Sequence, residues 1–312
     1  MTLTKEVRMG VETIHHGRVT WSNIERPGLE DIQVLKRNFD FHPLDLEDCL
    51  SKIERAKLDE YDDYLFIVMH FPIFDEGQRI SRASEVDFFI GANYLVTVHE
   101  GILKPIYQLF DDCQHYEQTR AKHMGRGASR LLYDVIDVLV DYCFPILDKV
   151  DKNLQAIEEE MFTANMRYIV QEISIVRRDI IALRRIIKPQ IAIVANLERK
   201  DRPFIREDLD VYFSDIVDHL NKAWDILEDY REVIEGLSET SDSVSSYRIN
   251  EVMRILTVIS VIILPLSLIS GLYGMNVFLP MAQHPLSFFA ILGLMAVIAG
   301  GMLLYFKRRG WL

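Results

Sequence analysis

Tyr273-Gly274-Met275-Asn276 sets a neutral amide at the end of an uncharged apolar segment. Below it, Asn250, Met253, Thr257, Ser260, Leu264, Ser267, Gly271 and Gly274 fall at alternating steps of three and four residues. On a helix that spacing is a seven-residue repeat and forms one stripe. Its occupants are mostly small or polar, while Ile, Val and Leu fill the other positions. Hydroxyls, amides and glycines on one face of an apolar helix have two uses. They let helices pack closely in a membrane, or they line a watery path. A single two-span chain cannot enclose such a path, so the second use requires a symmetric oligomer. A Gly-Met-Asn turn above the stripe suits a pore mouth. An Asn there also suits an ordinary helix end, because Asn tolerates the left-handed conformation.

The elements that position these groups are membrane spans. From Ile255 to Phe306 the chain has no Asp, Glu, Lys or Arg, and His284 is the one titratable side chain of the usual polar set. Two apolar segments, Ile255–Tyr273 and Leu286–Phe306, are each near the ~20 residues needed to cross ~30 Å of hydrocarbon. The loop Gly274–Pro285 lacks Lys and Arg, whereas Arg248, Arg254, Lys307, Arg308 and Arg309 flank the pair. The excess of positive charge places both flanks, and hence the N- and C-termini, in the cytoplasm of a cell membrane. The first ten residues, MTLTKEVRMG, carry no apolar signal core. Cys49, Cys113 and Cys143 form no C-x-x-C pair, in keeping with a reducing compartment.

Charge divides along the chain. Residues 248–312 hold five basic residues and one acidic residue, leaving 30 basic and 46 acidic residues before them, a net charge of −16. Such a body disfavours nucleic acid, whose phosphates need Lys and Arg. It suits attraction of cations, or simply solubility.

Residues 1–125 read as a cytoplasmic α/β domain. Arg18–Asn23 and Tyr64–Phe74 have strand patterns, Val86–Ile90 and Tyr94–His99 form a hairpin around Gly91-Ala92-Asn93, and Gly28–Phe39 and Ile102–Tyr116 read as helices. Gly125-Arg126-Gly127 marks a break rather than a dinucleotide fingerprint. Residues 126–206 read as helical, with one stripe from Leu131 to Ile157–Met161, a helix over Met166–Ile187, and punctuation at Pro189 and Arg202-Pro203. A stalk helix over residues 207–254 carries Leu209, Tyr212, Ile216, Leu220, Ala223, Leu227, Tyr230, Ile234 and Leu237 at helical spacing. It continues into a first span over 255–273, ~100 Å in all at ~1.5 Å per residue. Gly236, Ser238–Ser246 and Pro265 could bend it. An external loop over 274–285, a second span over 286–306 and a basic tail over 307–312 complete the expectation. The fold class is an α+β membrane protein with two C-terminal transmembrane helices.

These residues resemble the CorA-type divalent-metal transporters, the two-span GxN superfamily. The resemblance rests on Tyr273–Asn276 before a short loop and second span, and on Lys307–Leu312 at the end. It also rests on His42–Asp48 (HPLDLED), Tyr212–His219 (YFSDIVDH), and Asn250–Thr257 leading into Leu264-Pro265-Leu266-Ser267. It covers nearly the whole chain, and implies a homopentameric funnel whose first spans line the pore. By position, Gly274, Met275 and Asn276 would form the selectivity filter, with Asn276 as an external amide ring. Asn250, Met253, Leu256, Leu264 and Ser267 would line or narrow the path, in company with the stripe's Thr257, Ser260 and Gly271. Regulatory Mg2+ would bind between subunits at Glu47 and Asp48 of one and Asp215 of another, with Asp137 nearby, and hold the closed state. Without the resemblance, Met253 and Leu256 could equally be packing residues, and the carboxylates solvated surface.

An amide ring suits Mg2+, which dehydrates reluctantly. Carbonyl oxygens can accept hydrogen bonds from its coordinated waters, and weak binding permits exit. One departure concerns the ion. Val277–Pro285 reads VFLPMAQHP, without the acidic pair that many magnesium-transporting relatives carry. The short loop also resembles the zinc-transporting ZntB branch, but the stripe has no His or Cys to hold a dehydrated Zn2+. No G-x-x-x-x-G-K-[ST] supports a nucleotide-driven pump, and no nucleophile constellation supports an enzyme. Cys113-Gln114-His115 with His123 lacks a fourth zinc ligand at suitable spacing. Three functions follow: a gated, membrane-potential-driven influx channel for hydrated Mg2+, with Co2+ and Ni2+ as further cargo; a Zn2+ transporter of the ZntB branch with proton coupling; or a membrane-anchored cation sensor.

Overall fold

The computed structural model describes residues 10–51, 54–198, 204–205, 209–275 and 286–311. The chain forms two compact units, residues 1–238 and 239–312.

The first unit is built on a six-stranded sheet. Its strands are β1 (Val11–His16), β2 (Val19–Glu25), β3 (Lys57–Glu60), β4 (Tyr64–Asp75), β5 (Ile80–Gly91) and β6 (Tyr94–His99), in spatial order β1-β2-β6-β5-β4-β3. Only β2 and β6 run parallel, with Asn23 opposite Thr97; the other pairs are antiparallel. The alternation of β4 decides which layer covers which face. Leu65, Ile67, Met69, Phe71 and Ile73 face one core, and Tyr64, Phe66 and Val68 face the other. The second, smaller core is closed by Leu35 of α1 (Leu29–Asn38), Leu46 of α2 (Pro43–Asp48), and Phe41 and Cys49. Phe41 stacks on Phe89 at 4.2 Å between ring centroids.

The larger core is closed by α3 (Lys104–His115), α4 (Glu117–Met124), α5 (Ala128–Asp141), α6 (Cys143–Glu160) and α7 (Met166–Glu198). The start of α8 (Asp210–Tyr273) adds Phe213, Ile216, Leu220, Ala223, Leu227 and Ile234. The expected strands and the hairpin at Gly91 are present. The Tyr94 ring packs over Gly91, where a Cβ would displace it. Gly127, at φ +113°, turns the chain into α5.

Three features differ from the sequence reading. β1 and β3 are paired strands although their sequences, VETIHH and KLDE, carry little apolar alternation; they are the two edges of the sheet, where one neighbour suffices. β5 begins at Ile80, not Val86, because Ser81, Ser84 and Glu85 are buried polar residues within the β4–β5 ladder. Pro189 does not end its helix: α7 continues to Glu198 because Ile193, Val194 and Leu197 keep the helical stripe in the core. Arg202-Pro203 lies outside the described residues.

In the second unit α8 continues without interruption through Pro265 to Tyr273, and α9 (Ser287–Arg308) follows. Both are long and apolar enough to cross a membrane. Their large apolar side chains are bare: Leu264 is 69% exposed and Val297 72%. Water does not tolerate so much continuous apolar surface; lipid does.

Candidate functional site

Every member of the α8 stripe is exposed (Asn250, Met253, Thr257, Ser260, Leu264, Ser267, Gly271 and Gly274), and so are Leu256 and Met275 beside it. From Asn250 to Tyr273 the shielded positions of α8 are Arg254, Val258, Ile262, Pro265, Leu266 and Ile269. At 100° per residue they lie on the opposite side, and Val258 is 2% exposed. The stripe is therefore a face that this chain leaves uncovered. Its hydroxyls are oriented: Thr257 Oγ1 donates to Met253 O at 2.7 Å and Ser260 Oγ to Leu256 O at 2.8 Å. With the proton directed into the helix, the oxygen lone pairs remain as acceptors. At the top, Gly274 N–H donates to Ser270 O at 2.9 Å. A Cβ on Gly274 would come within 3.1 Å of that carbonyl, so a small residue suits the last turn. Asn276 and Val277–Pro285 lie outside the described residues.

Glu47 and Asp48 end α2, a short helix that starts at Pro43 and is capped by His42 Nδ1 accepting from Leu44 N. Glu47 is exposed. Asp48 accepts from Lys57 Nζ at 2.7 Å, and the same ammonium donates to Asp59 at 2.8 Å. Burial disfavours the Lys57 charge, but the two carboxylates outweigh it and raise its pKa. The adjacent Asp45 is buried and accepts from Tyr61 at 3.1 Å and Tyr64 at 2.8 Å, which fixes α2 on the sheet.

Asp137 stands on α5 beside Asp141, and His219 faces them from α8. One ligand atom of each lies within 4.8 Å of the others. His219 Nδ1 is 3.5 Å from Asp141 Oδ1 and has no hydrogen-bond partner. Burial and then the Asp141 charge raise the Asp137 pKa; His219 opposes this, and Asp134 and Asp215 add to it. Asp215 is exposed one turn before His219, and its charge is felt at Asp137 and at Tyr133. Asp137 and Asp215 thus belong to one acidic face. Glu198, Asp210 and Asp218 line a hollow with Asp215 on that side of α8. Sequence reasoning missed Asp141 and His219. The signal was present: each lies four residues beyond a residue already singled out, one helical turn along the same face. Such carboxylates and a ring nitrogen could hold a dication that keeps part of its water shell.

Cys113, His115 and His123 do not converge. Cys113 is buried in the core, His115 bonds to Asp111, and His123 Nδ1 pairs with Asp134 at 2.7 Å. Among the described residues, the metal-competent group is Asp137, Asp141 and His219.

Comparison with known proteins gives this arrangement its family. YfjQ of Bacillus subtilis is 33% identical over 308 residues, covering 96% of this chain and 93% of its own length. The cobalt/magnesium transport protein CorA of Thermotoga maritima is 32% identical over 298 residues, covering 94% of this chain and 83% of its own. The complete structure of the CorA magnesium transporter from Methanocaldococcus jannaschii superposes with a TM-score of 0.84 at 24% identity, over 96% of this chain and 93% of that one, a likeness of fold. The model of the family described as CorA-like Mg2+ transporter protein matches residues 16–308. With an α/β unit, a long helix running on into an apolar span and a second apolar helix after it, the chain belongs to the CorA-like Mg2+ transporter family.

Proposed function

We propose that this chain is one subunit of a homopentameric, gated influx channel for hydrated Mg2+, with Co2+ and Ni2+ as further cargo. One observation carries the reading: the small and polar stripe of α8 is uncovered along its whole described length. Five copies placing that stripe inward would enclose a path lined by hydroxyl and amide oxygen. Those oxygens accept hydrogen bonds from the waters of the ion, so Mg2+ need not shed its shell. Met253 and Leu256 narrow the path and exclude water when it is closed. Asn276 supplies an amide ring at the outer mouth, within a filter of Gly274, Met275 and Asn276. Both flanks lie in the cytoplasm, so the membrane potential drives entry at ~2.3 kcal/mol per charge per 100 mV, doubled for a dication.

Closure depends on cytoplasmic Mg2+ bound between subunits by Glu47 and Asp48 of one and Asp137 and Asp215 of the next. When the ion leaves, like charges repel and the assembly loosens. The relatives named as cobalt/magnesium transport proteins favour this cargo over Zn2+, as does a stripe without His or Cys.

Purified protein in liposomes with an inside-negative potential tests the reading. Mg2+ uptake should exceed Zn2+ uptake and should fall when the lumen is preloaded with Mg2+. Asn276→Ala should lose the preference for Mg2+. Zn2+ uptake coupled to protons would instead identify the ZntB-like function, and no flux of either ion would leave a membrane-anchored sensor.

A further inference from the structure

Away from the α5–α8 carboxylates, a cavity of about 260 Å3 opens between the end of α2, the middle of β5 and the end of β6. Glu85, Asp87 and Glu100 line it, against one guanidinium, that of Arg26. Asp87 is 3% exposed, and its Oδ1 has no hydrogen-bond partner. Glu100 Oε2 is equally shielded and unpartnered. Asp87 stands in the middle of the sheet, opposite Val68 on β4 and Val98 on β6. A valine or leucine would fill that position without electrostatic cost. A carboxylate there is expensive unless something pairs with it. Burial and the Glu85 charge push its pKa well up, a penalty on the charged form that a bound cation would relieve.

We propose that this cavity is a second divalent-cation site, contained within one subunit, in which Asp87 and Glu100 hold a hydrated hard dication. The donor chemistry selects the ion. His99 cannot ligate: Nδ1 accepts from Gly101 N–H at 3.0 Å and Nε2 bonds to Asn23 at 3.0 Å. The Cys49 thiol donates to Asp45 O at 3.2 Å and also bonds to the Asp87 carboxylate, and burial and the surrounding carboxylates hold its proton in place, so it is no ligand. Glu85 Oε2 bonds to the Glu54 amide and to His70. The free acceptors are therefore carboxylate oxygens, which suit Mg2+, Ca2+ or Mn2+ rather than a soft metal. With all three carboxylates ionised against one guanidinium the lining carries −2, which a dication would neutralise. The volume holds a hexahydrated ion, whose six waters need roughly 180 Å3 at ~30 Å3 each. Contact through those waters also fits the absence, among the described residues, of three converging ligand atoms here.

Full-length protein in detergent tests this with Mn2+ as the probe, bound ions being counted from the loss of the free Mn2+ resonance. The background carries Asp137→Asn and Asp215→Asn, which weaken the other cluster. Asp87→Asn, nearly isosteric, should weaken one remaining class of sites by about tenfold or more. It should also unfold in chelator at a temperature no lower than its parent, since a buried acid becomes an amide. Should Asp87→Asn not fold, Glu100→Gln at the strand end carries the same expectation for binding. Mg2+ should displace the Mn2+, and putrescine, a dication without a water shell to share, should not. Unchanged binding in the variants, or displacement by putrescine as effective as by Mg2+, overturns the proposal.

Discussion

Lys57 Nζ lies 2.7 Å from Asp48 Oδ2, so a carboxylate proposed to sense Mg2+ is already held by a cation of its own chain. The same ammonium sits 5.0 Å from the centre of the Phe66 ring, which keeps it in place. Lysine and a dication would then compete for Asp48. Lys57→Met should lower the Mg2+ concentration that half-protects the protein from proteolysis. The pair is about a quarter to a third exposed, so its strength is roughly 0.5–1 kcal/mol, a two- to fivefold shift. Asp48→Asn should move the midpoint the other way. No shift in either variant would separate Asp48 from sensing.

How much of this was legible beforehand differs between the two units. The spans were readable because a run without charge over Ile255–Phe306 has few other uses. The strands Tyr64–Asp75 and Tyr94–His99 announced themselves by apolar content. β3 did not, since KLDE owes its strand state to the Leu58–Ile67 and Asp59–Phe66 pairings and not to its composition. Pro189 misled because a proline costs one helical hydrogen bond, while the residues after it bury a whole stripe. Asp137 and Asp215 were named from family likeness; their partners Asp141 and His219 appear only when α5 and α8 are brought face to face.

That juxtaposition gives a second prediction. If Asp137, Asp141 and His219 act together, Asp141→Asn and His219→Ala should each weaken Mg2+-dependent protection, as Asp215→Asn should. The effect of His219→Ala should be smaller, because removing an imidazole leaves the carboxylates and their water-mediated contacts intact. Limited proteolysis across a Mg2+ series would read both. Full protection in Asp141→Asn at the wild-type midpoint would reduce the cluster to a surface feature.

His99 should make the α/β unit acid-sensitive. It is 3% exposed, accepts from Gly101 N–H and bonds to Asn23, an arrangement that suits the neutral ring. Burial lowers its pKa to about 4. Above pH ~6.5 both folded and unfolded states hold it neutral. Between there and pH 4 the unfolded chain takes the proton and the folded chain does not, so stability falls as pH falls, by about 3 kcal/mol in all. Carboxylates titrate in the same window, so the difference between wild type and His99→Gln isolates the imidazole. Denaturant midpoints at pH 7, 6, 5 and 4.5 should converge toward acid; parallel profiles would show that His99 is protonated without cost.

Arg79 fastens the β4–β5 hairpin to α7. Its guanidinium grips Glu172 with two bonds, at 2.8 and 2.6 Å, and Asp179, two turns along α7, accepts from Ser81 N–H. Glu172 is 7% exposed, whereas the Arg79 side chain is 45% exposed. The two partners are therefore not equivalent. Arg79→Met leaves a shielded carboxylate unpaired, and should cost roughly 1–3 kcal/mol even with water reaching the vacated side. Glu172→Met leaves only an exposed guanidinium, which water can solvate, and should cost less. The double variant removes the unpaired charge and should lie closer to wild type than Arg79→Met does. Thermal unfolding of the four proteins in one detergent gives the coupling directly. Additive losses would mean that the hairpin is held by the Ser81–Asp179 bond and the apolar contacts of α7, with the ion pair contributing nothing of its own.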